Sequence, residues 1–315
     1  DLRAELLALP KAEQQRFSAL DAELEHLFST WFDVALLELR RLSWDSPASL
    51  IEKLIQYEAV HDIRSWADLK NRLDSDRRCH GFFHPRMPTV PLIFVEVALV
   101  DKMSDSIAPL LDETAAASDL GRATTAIFYS ISNTQTGLRG VSFGDSLIKH
   151  VVETLTGEFP RLRHFATLSP IPGLRTWIAK HGDAILEKMD ERQRKAFELK
   201  AGGMGAEHLL AALDAPQDLK PDAPVRRALL FCAAHYLGRE TAKGRPLDPV
   251  ARFHLGNGAR VERLNWAADL SAKGLKQSLG LMVNYLYDLK RLDKHRGLLA
   301  QGRIPVSSDI EALCK

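Results

Sequence analysis

A glycine-bearing turn set between a strand and a helix constrains this chain more than any other stretch. Thr124 to Ser132 carries Ile127, Phe128, Tyr129 and Ile131, residues of high β-propensity, and reads as a strand. It runs into Gln135-Thr136-Gly137-Leu138-Arg139-Gly140-Val141-Ser142-Phe143-Gly144, after which a helix is predicted from about Gly144 to Leu155. Such a turn exposes successive backbone N–H groups in front of a helix N-terminus, and so can seat a pyrophosphate. Gly140 and Gly144 permit close approach and tight reversal, and Lys149 adds charge just inside the helix. The G-x-G-x-x-G order of the dinucleotide fingerprint is absent. Glycines before a helix also serve as ordinary turn chemistry, so the residues alone leave both readings open.

Around this unit the pattern is helical first and α/β afterwards. Lys11 to Leu42 reads as helix, with Phe17, Leu20, Leu24, Leu27, Phe28, Trp31 and Leu39 at steps of three and four. Near Trp31 to Leu37 the stripe widens to nearly all sides, which predicts burial against other helices. Ser46-Pro47 marks a helix start, and Ser65 with Asp68 a capping box for a short helix to about Leu73. A proline-rich connector, His84 to Pro88, leads into a strand over Leu92 to Leu99. A third strand, Arg163 to Leu168, precedes helices over Leu174–Lys200, Ala206–Leu213 and Val225–Leu237. No repeat or low-complexity tract interrupts the order.

Charge and cysteine content exclude several classes of partner. Forty-two basic against forty-one acidic residues leave a net charge of +1, which gives no global attraction to nucleic acid or an anionic membrane. Any anion site must therefore be a local cluster. Cys79, Cys232 and Cys314 have neither zinc-ligand nor disulfide-framework spacing, so a reducing, cytoplasmic setting is expected. The apolar stretch Val90 to Val100 contains Glu96 and is too short to span a bilayer. The C-terminus is not the Ser-Lys-Leu peroxisomal address.

Two further segments carry candidate chemistry. Ser169, in Thr167-Leu168-Ser169-Pro170-Ile171-Pro172-Gly173, sits at a strand end, and the flanking prolines stiffen the loop that presents its hydroxyl. His254 precedes the Asn257-Gly258 turn signal, where a neutral imidazole gives or takes a proton near neutral pH. Serine before proline is also common turn chemistry, and a lone loop histidine is usually solvated or structural.

The Arg139-to-Ile148 loop resembles the acetyl-CoA loop of GCN5-related acyltransferases, R-G-x-G-[IL]-G-x-x-L-[IL], with Ser142 in place of one glycine. The ordered set of segments is more specific. Ala126-Ile127-Phe128-Tyr129-Ser130-Ile131-Ser132, the glycine loop, Leu168-Ser169-Pro170-Ile171-Pro172-Gly173 and His254-Leu255 with Asn257-Gly258-Ala259 together resemble the malonyl-CoA decarboxylase family. So do Asn265-Trp266-Ala267-Ala268-Asp269, Gly280-Leu281-Met282-Val283-Asn284-Tyr285 and, upstream, Ser46-Pro47 and Glu58-Ala59-Val60-His61. The likeness runs from about residue 40 onward.

That resemblance implies an α+β chain: a helical segment over 1–35, the end of an oligomerisation domain, then an acyltransferase-like α/β/α catalytic domain with a mixed sheet over 36–315. The family's helical domain is longer than this, so much of it is expected to be absent from the chain. The resemblance also implies decarboxylation of malonyl-CoA to acetyl-CoA and CO2, no cofactor, and a homo-oligomer assembled through the helical part. It places the catalytic pair at Ser169 and His254. The CoA-ester loop falls on Arg139, Gly140, Val141, Ser142, Phe143, Gly144 and Asp145. Family members can carry glutamate at position 142, which points to the backbone rather than that side chain as the binding element. Asn265 is expected to orient His254, and Tyr285 to line the acyl pocket. The alternatives are an acyl-CoA-dependent N-acyltransferase, and a CoA-ester-binding scaffold without turnover.

Overall fold

The computed structural model describes residues 2–141, 147–213 and 215–315. The chain divides into two compact units, Asp1–Asp101 with Leu111–Arg163, and Lys102–Leu110 with His164–Lys315.

The first unit opens with helices α1 (Leu2–Ala8), α2 (Lys11–Arg16) and α3 (Ser18–Trp31). The helix expected to continue to Leu42 ends at Trp31, and β1 (Glu38–Leu42) is a strand. Leu39 fits a three-to-four-residue step and a two-residue step equally well. Pairing decides between them, because β1 runs antiparallel to β2 (Arg77–Phe83) with Arg40 opposite Gly81. Leu42 then packs with Ile51, Leu54 and Leu69. Trp31 and Leu36 are exposed, so the predicted burial of this stretch against other helices does not occur. Next come α4 (Ala48–Tyr57) and α5 (Trp66–Arg72). Pro47 is the N-cap of α4 and Ser46 Oγ instead accepts from Ser43 N–H, whereas Ser65 does cap α5 by accepting from Asp68 N–H.

Strand β2 has no hydrophobic alternation, yet all seven of its residues are buried. Its cations enter the interior already paired, Arg77 with Asp76 at 2.6 Å and Arg78 with Glu158 at 2.5 Å. β3 (Pro91–Val100) lies between β2 and β4 (Thr125–Asn133), antiparallel to both, with Glu96 opposite Cys79 on one side and Ser130 on the other. Under this meander lies a buried polar cluster in which Arg72 reaches Asp68 at 2.7 Å and Glu96 at 3.1 Å, while Ser130 donates to Glu58. Burial and the neighbouring Glu58 push the Glu96 carboxyl up to about 8, against the pull of Arg72. In sequence, α6 (Ala108–Leu111) precedes β4, and α7 (Leu147–Glu158) follows the glycine turn.

The second unit holds β5 (His164–Thr167), β6 (Ser169–Pro170), α8 (Leu174–Leu186), α9 (Glu191–Ala201), α10 (Ala206–Ala211) and α11 (Pro224–Gly238). The single helix expected over Leu174–Lys200 is two, because Asp190 caps α9 by accepting from Gln193 N–H at 3.0 Å. A small hairpin, β7 (Thr241–Ala242) and β8 (Arg245–Pro246), leads to α12 (Pro249–Gly256), β9 (Arg260–Asn265), α13 (Ala272–Ser278), β10 (Met282–Leu286), α14 (Leu292–Ala300) and α15 (Ser308–Leu313). β10 is the organising strand. It pairs antiparallel with β5 and β6 on one side and with β9 on the other, placing Val283 opposite both Ser169 and Leu264. A parallel bridge between Val261 and Val306 adds mixed character, and the α+β class holds. Among the described residues no helix is long and apolar enough to cross a membrane.

Candidate active site

Ser169 and His254 meet in the second unit although 85 residues separate them in sequence. Two helix starts bring them together. The Pro170–Gly173 loop ends at the N-cap of α8, and Asp248 caps α12 by accepting from Val250 and Ala251 N–H, both at 2.9 Å. The same Asp248 carboxylate accepts from Gly173 N–H and from the Tyr236 hydroxyl, the latter at 3.2 Å, so one side chain ties both starts. Gly173 must lack a side chain, since a Cβ there would lie 2.2 Å from Tyr236 Oη. His254 sits in the last turn of α12, buried, and not in the exposed loop that the sequence suggested.

A directed chain of hydrogen bonds follows. Ser169 Oγ donates to Thr167 Oγ1 at 2.8 Å and lies 3.3 Å from His254 Nε2. His254 Nδ1 lies 2.7 Å from Tyr287 Oη. With the serine proton committed to Thr167, Nε2–H donates to Ser169 Oγ and Nδ1 accepts from the Tyr287 hydroxyl. Burial lowers the His254 pKa to about 3, so the ring is neutral throughout the physiological range and does not titrate near neutrality. Tyr285 stacks on the imidazole, centroids 4.8 Å apart and planes 25° from parallel. Its hydroxyl is buried with no hydrogen-bond partner among the described residues.

Asn265 does not orient His254. Its Nδ2 donates to Asn284 Oδ1 at 2.8 Å, and Asn284 Nδ2 donates to the Thr167 carbonyl at 2.7 Å. Asn265 therefore braces the strand beneath Ser169, and the partner of His254 is Tyr287. Sequence reasoning missed Tyr287 and Thr167. Both were within reach of the period-two rule, since Tyr287 follows Tyr285 by two residues and Thr167 precedes Ser169 by two.

The glycine loop belongs to the first unit. Arg3, buried, fixes its start by donating to the carbonyls of Gly137 and Arg139, both at 2.8 Å, while its Nε pairs with Asp21 at 2.7 Å. Gly140 has φ +82°, the left-handed region that glycine enters without strain. Arg139 is exposed and Val141 buried; Ser142, Phe143, Gly144 and Asp145 lie outside the described residues. Lys149 is exposed and faces Glu153 at 3.8 Å.

Comparison with known proteins agrees along the whole chain. Residues 35–315 match the malonyl-CoA decarboxylase C-terminal domain and residues 1–32 the N-terminal domain of the same family. Mitochondrial malonyl-CoA decarboxylase of Mus musculus is 39% identical over 305 residues, and that of Anser anser anser 36% over 304. These alignments take in 92% of this chain but only 62% and 60% of the two relatives, so the chain spans about three fifths of their length. The crystal structure of malonyl-CoA decarboxylase from Cupriavidus metallidurans superposes with a TM-score of 0.87 at 50% identity, covering 99% of this chain and 76% of that one. The enzyme from Rhodopseudomonas palustris gives 0.85 at 45%, covering 98% and 74%.

Proposed function

The chain belongs to the malonyl-CoA decarboxylase family, and on that premise we propose that it converts malonyl-CoA to acetyl-CoA and CO2. The observation that carries the proposal is the buried contact of Ser169 Oγ with His254 Nε2 at 3.3 Å, backed by Tyr287 and Thr167. When the bond between C2 and the carboxylate breaks, its electron pair enters the thioester carbonyl and leaves an enolate. The thioester is itself the electron sink, so the reaction as proposed requires neither metal nor organic cofactor. A proton must then reach C2.

Ser169 and His254 flank the malonyl carboxylate in this scheme: on substrate binding the Ser169 hydroxyl turns from Thr167 to donate to the carboxylate, and His254 supplies the proton from Nε2–H. An imidazolium is not needed. As Nε2 loses its proton to C2, Nδ1 takes one from the Tyr287 hydroxyl, and the ring ends neutral in its other tautomer. Once the product has left, a solvent proton reaching Nε2 returns the Nδ1 proton to Tyr287 and restores the starting tautomer. No tyrosinate then remains in a site where burial raises the Tyr287 pKa well above its usual value. Desolvation around His254 strengthens each of these bonds. The unpartnered Tyr285 hydroxyl supports a place for that residue beside the acyl group. The segment Arg139 to Asp145 is proposed to hold the CoA pyrophosphate through backbone N–H groups, on the acyltransferase-like plan that the resemblance implies, with Gly140 supplying the reversal.

The rest of the reading is coarser. Residues 1–35 are proposed as part of a helical domain for self-association and 36–315 as the catalytic domain, supported by the separate matches at 1–32 and 35–315. Three free thiols support a reducing, cytoplasmic setting. The test is purified protein with malonyl-CoA and a chelator, without amine, followed for acetyl-CoA and CO2. Stoichiometric release that Ser169→Ala cuts by about 100-fold or more, while CoA affinity holds, is expected. Saturable binding without release would overturn the proposal in favour of a scaffold, and acyl transfer only on adding an amine would favour the acyltransferase.

A further inference from the structure

The near-neutral chain concentrates cations at one place in the second unit. A cavity of about 430 Å³ is lined by Arg239, Arg260, Arg291, Lys294, Arg303 and His295, and among the described residues no carboxylate lines it. These residues come from the end of α11, the start of β9, the first turns of α14 and the 302–306 segment that returns to β9. The convergence is therefore a product of folding and not of a basic run in the sequence. Three of the cations are balanced from outside the lining: Arg239 by Glu311 at 2.5 Å, Arg260 by Glu262 at 2.5 Å and Arg291 by Asp288 at 3.4 Å. Lys294 and Arg303 meet no carboxylate among the described residues; the Arg303 guanidinium donates to the Gln301 amide oxygen. Five cations thus face three carboxylates, an excess of two charges around a concave space. Such an arrangement raises the local concentration of anions.

We propose that this cavity binds a small organic phosphate. The guanidinium forks of Arg260, Arg291 and Arg303 suit phosphate oxygens, and Lys294 adds a point charge. The surplus of two matches a phosphate dianion. Beside the cations, Leu298, Ile304 and Val306 provide an apolar floor for the organic body of the ligand. His295 is held from behind, its Nδ1 2.9 Å from the Gly258 carbonyl, so its other nitrogen is the one left for the cavity. The lining includes neither Ser169 nor His254, nor any residue of the 139–145 loop. The phosphate has two chemical sources, a free phosphate ester and the 3′-phosphate of coenzyme A.

Calorimetric titration of the full chain with inorganic pyrophosphate tests the site, comparing wild type with the double variant Lys294→Glu/Arg303→Glu. Both positions are exposed, so the fold tolerates the change, which the circular dichroism melt checks. One saturable site weakened about tenfold or more in the variant is expected, with affinity falling steeply as salt rises. Competition then identifies the source. Displacement of pyrophosphate by coenzyme A but not by 3′-dephospho-coenzyme A names the substrate's own phosphate, and no displacement by either names a separate phosphate ester. No saturable binding, or equal affinity in the double variant, overturns the proposal.

Discussion

Replacing Tyr287 with phenylalanine removes one oxygen from a packed position and leaves the ring in place. The hydroxyl lies 2.7 Å from His254 Nδ1, and both residues are buried. Without it Nδ1 is a desolvated acceptor with no donor, and only the Ser169 contact still holds the imidazole proton on Nε2. Leaving a buried acceptor unsatisfied costs about 1–3 kcal/mol. At about 1.4 kcal/mol per factor of ten, this predicts a fall in kcat of roughly 5- to 150-fold. KM for malonyl-CoA should stay within about twofold, because Tyr287 acts through the imidazole and not on the CoA moiety. The assay is steady-state acetyl-CoA formation at 25 °C on protein whose melt shows it fully folded. The nitrogen-15 shifts of the imidazole would report the tautomer directly. A kcat within twofold of wild type, with Nε2 still protonated, would refute the assignment of Tyr287 as the group that sets the ring.

The remaining predictions concern charge and close packing. Because the pKa of His254 falls from 6.5 unfolded to about 3 folded, the unfolded state binds the extra proton, and stability declines as pH drops from about 6.5 toward 3. By pH 4.5 the loss from this residue is about 2–3 kcal/mol; urea melts of His254→Gln should lack that slope, and parallel profiles would rule out the buried neutral ring. Glu96 shifts the other way, to about 8, so its contribution is present below about pH 4.5 and is lost as pH rises through 8. The melting temperature of Glu96→Gln should therefore gain on wild type across that window, and a constant difference would refute the assignment. Gly173→Ala places a Cβ 2.2 Å from Tyr236 Oη and should destabilise by about 1–3 kcal/mol while lowering kcat, since the Ser169 loop must move. An unchanged melt and kcat would show that the loop yields freely.

Legibility in the sequence followed the type of physics involved. Segments whose pattern is local were readable. The β3 and β4 runs of Val, Ile and Phe, the Ser65 cap and the Asn257-Gly258 turn all appear where residue order places them. Strand β1 was hidden because Leu39 satisfies two periods and only pairing with β2 chooses between them. β2 was hidden because Arg77, Arg78 and His80 read as solvent-facing until Asp76, the residue before the strand, and Glu158 of α7 neutralise the two arginines. In the site, Ser169 and His254 entered through the order of family segments, not through local chemistry. The partner of His254 was misjudged because Asn265 is nearer in sequence than Tyr287, while strand pairing gives Asn265 to Asn284. The basic cavity had no linear signature, since its cations are spread from Arg239 to Arg303.

The place of β10 has a consequence for how the protein comes into being. The strand lies between β5 and β9 and also borders β6, yet it is made more than a hundred residues after Ser169. A nascent chain that already displays Ser169 and His254 still lacks the ring that stacks on the imidazole and the hydroxyl that orients it. The slot for β10 must stay open, or be filled wrongly, until residues 282–287 emerge from the ribosome. The Ser169–His254 pair is thus complete only once residues 282–287 have joined it, and a chain cut short before them lacks both tyrosines of the site. The same long-range closure that sets β10 in the sheet is what assembles the surroundings of His254.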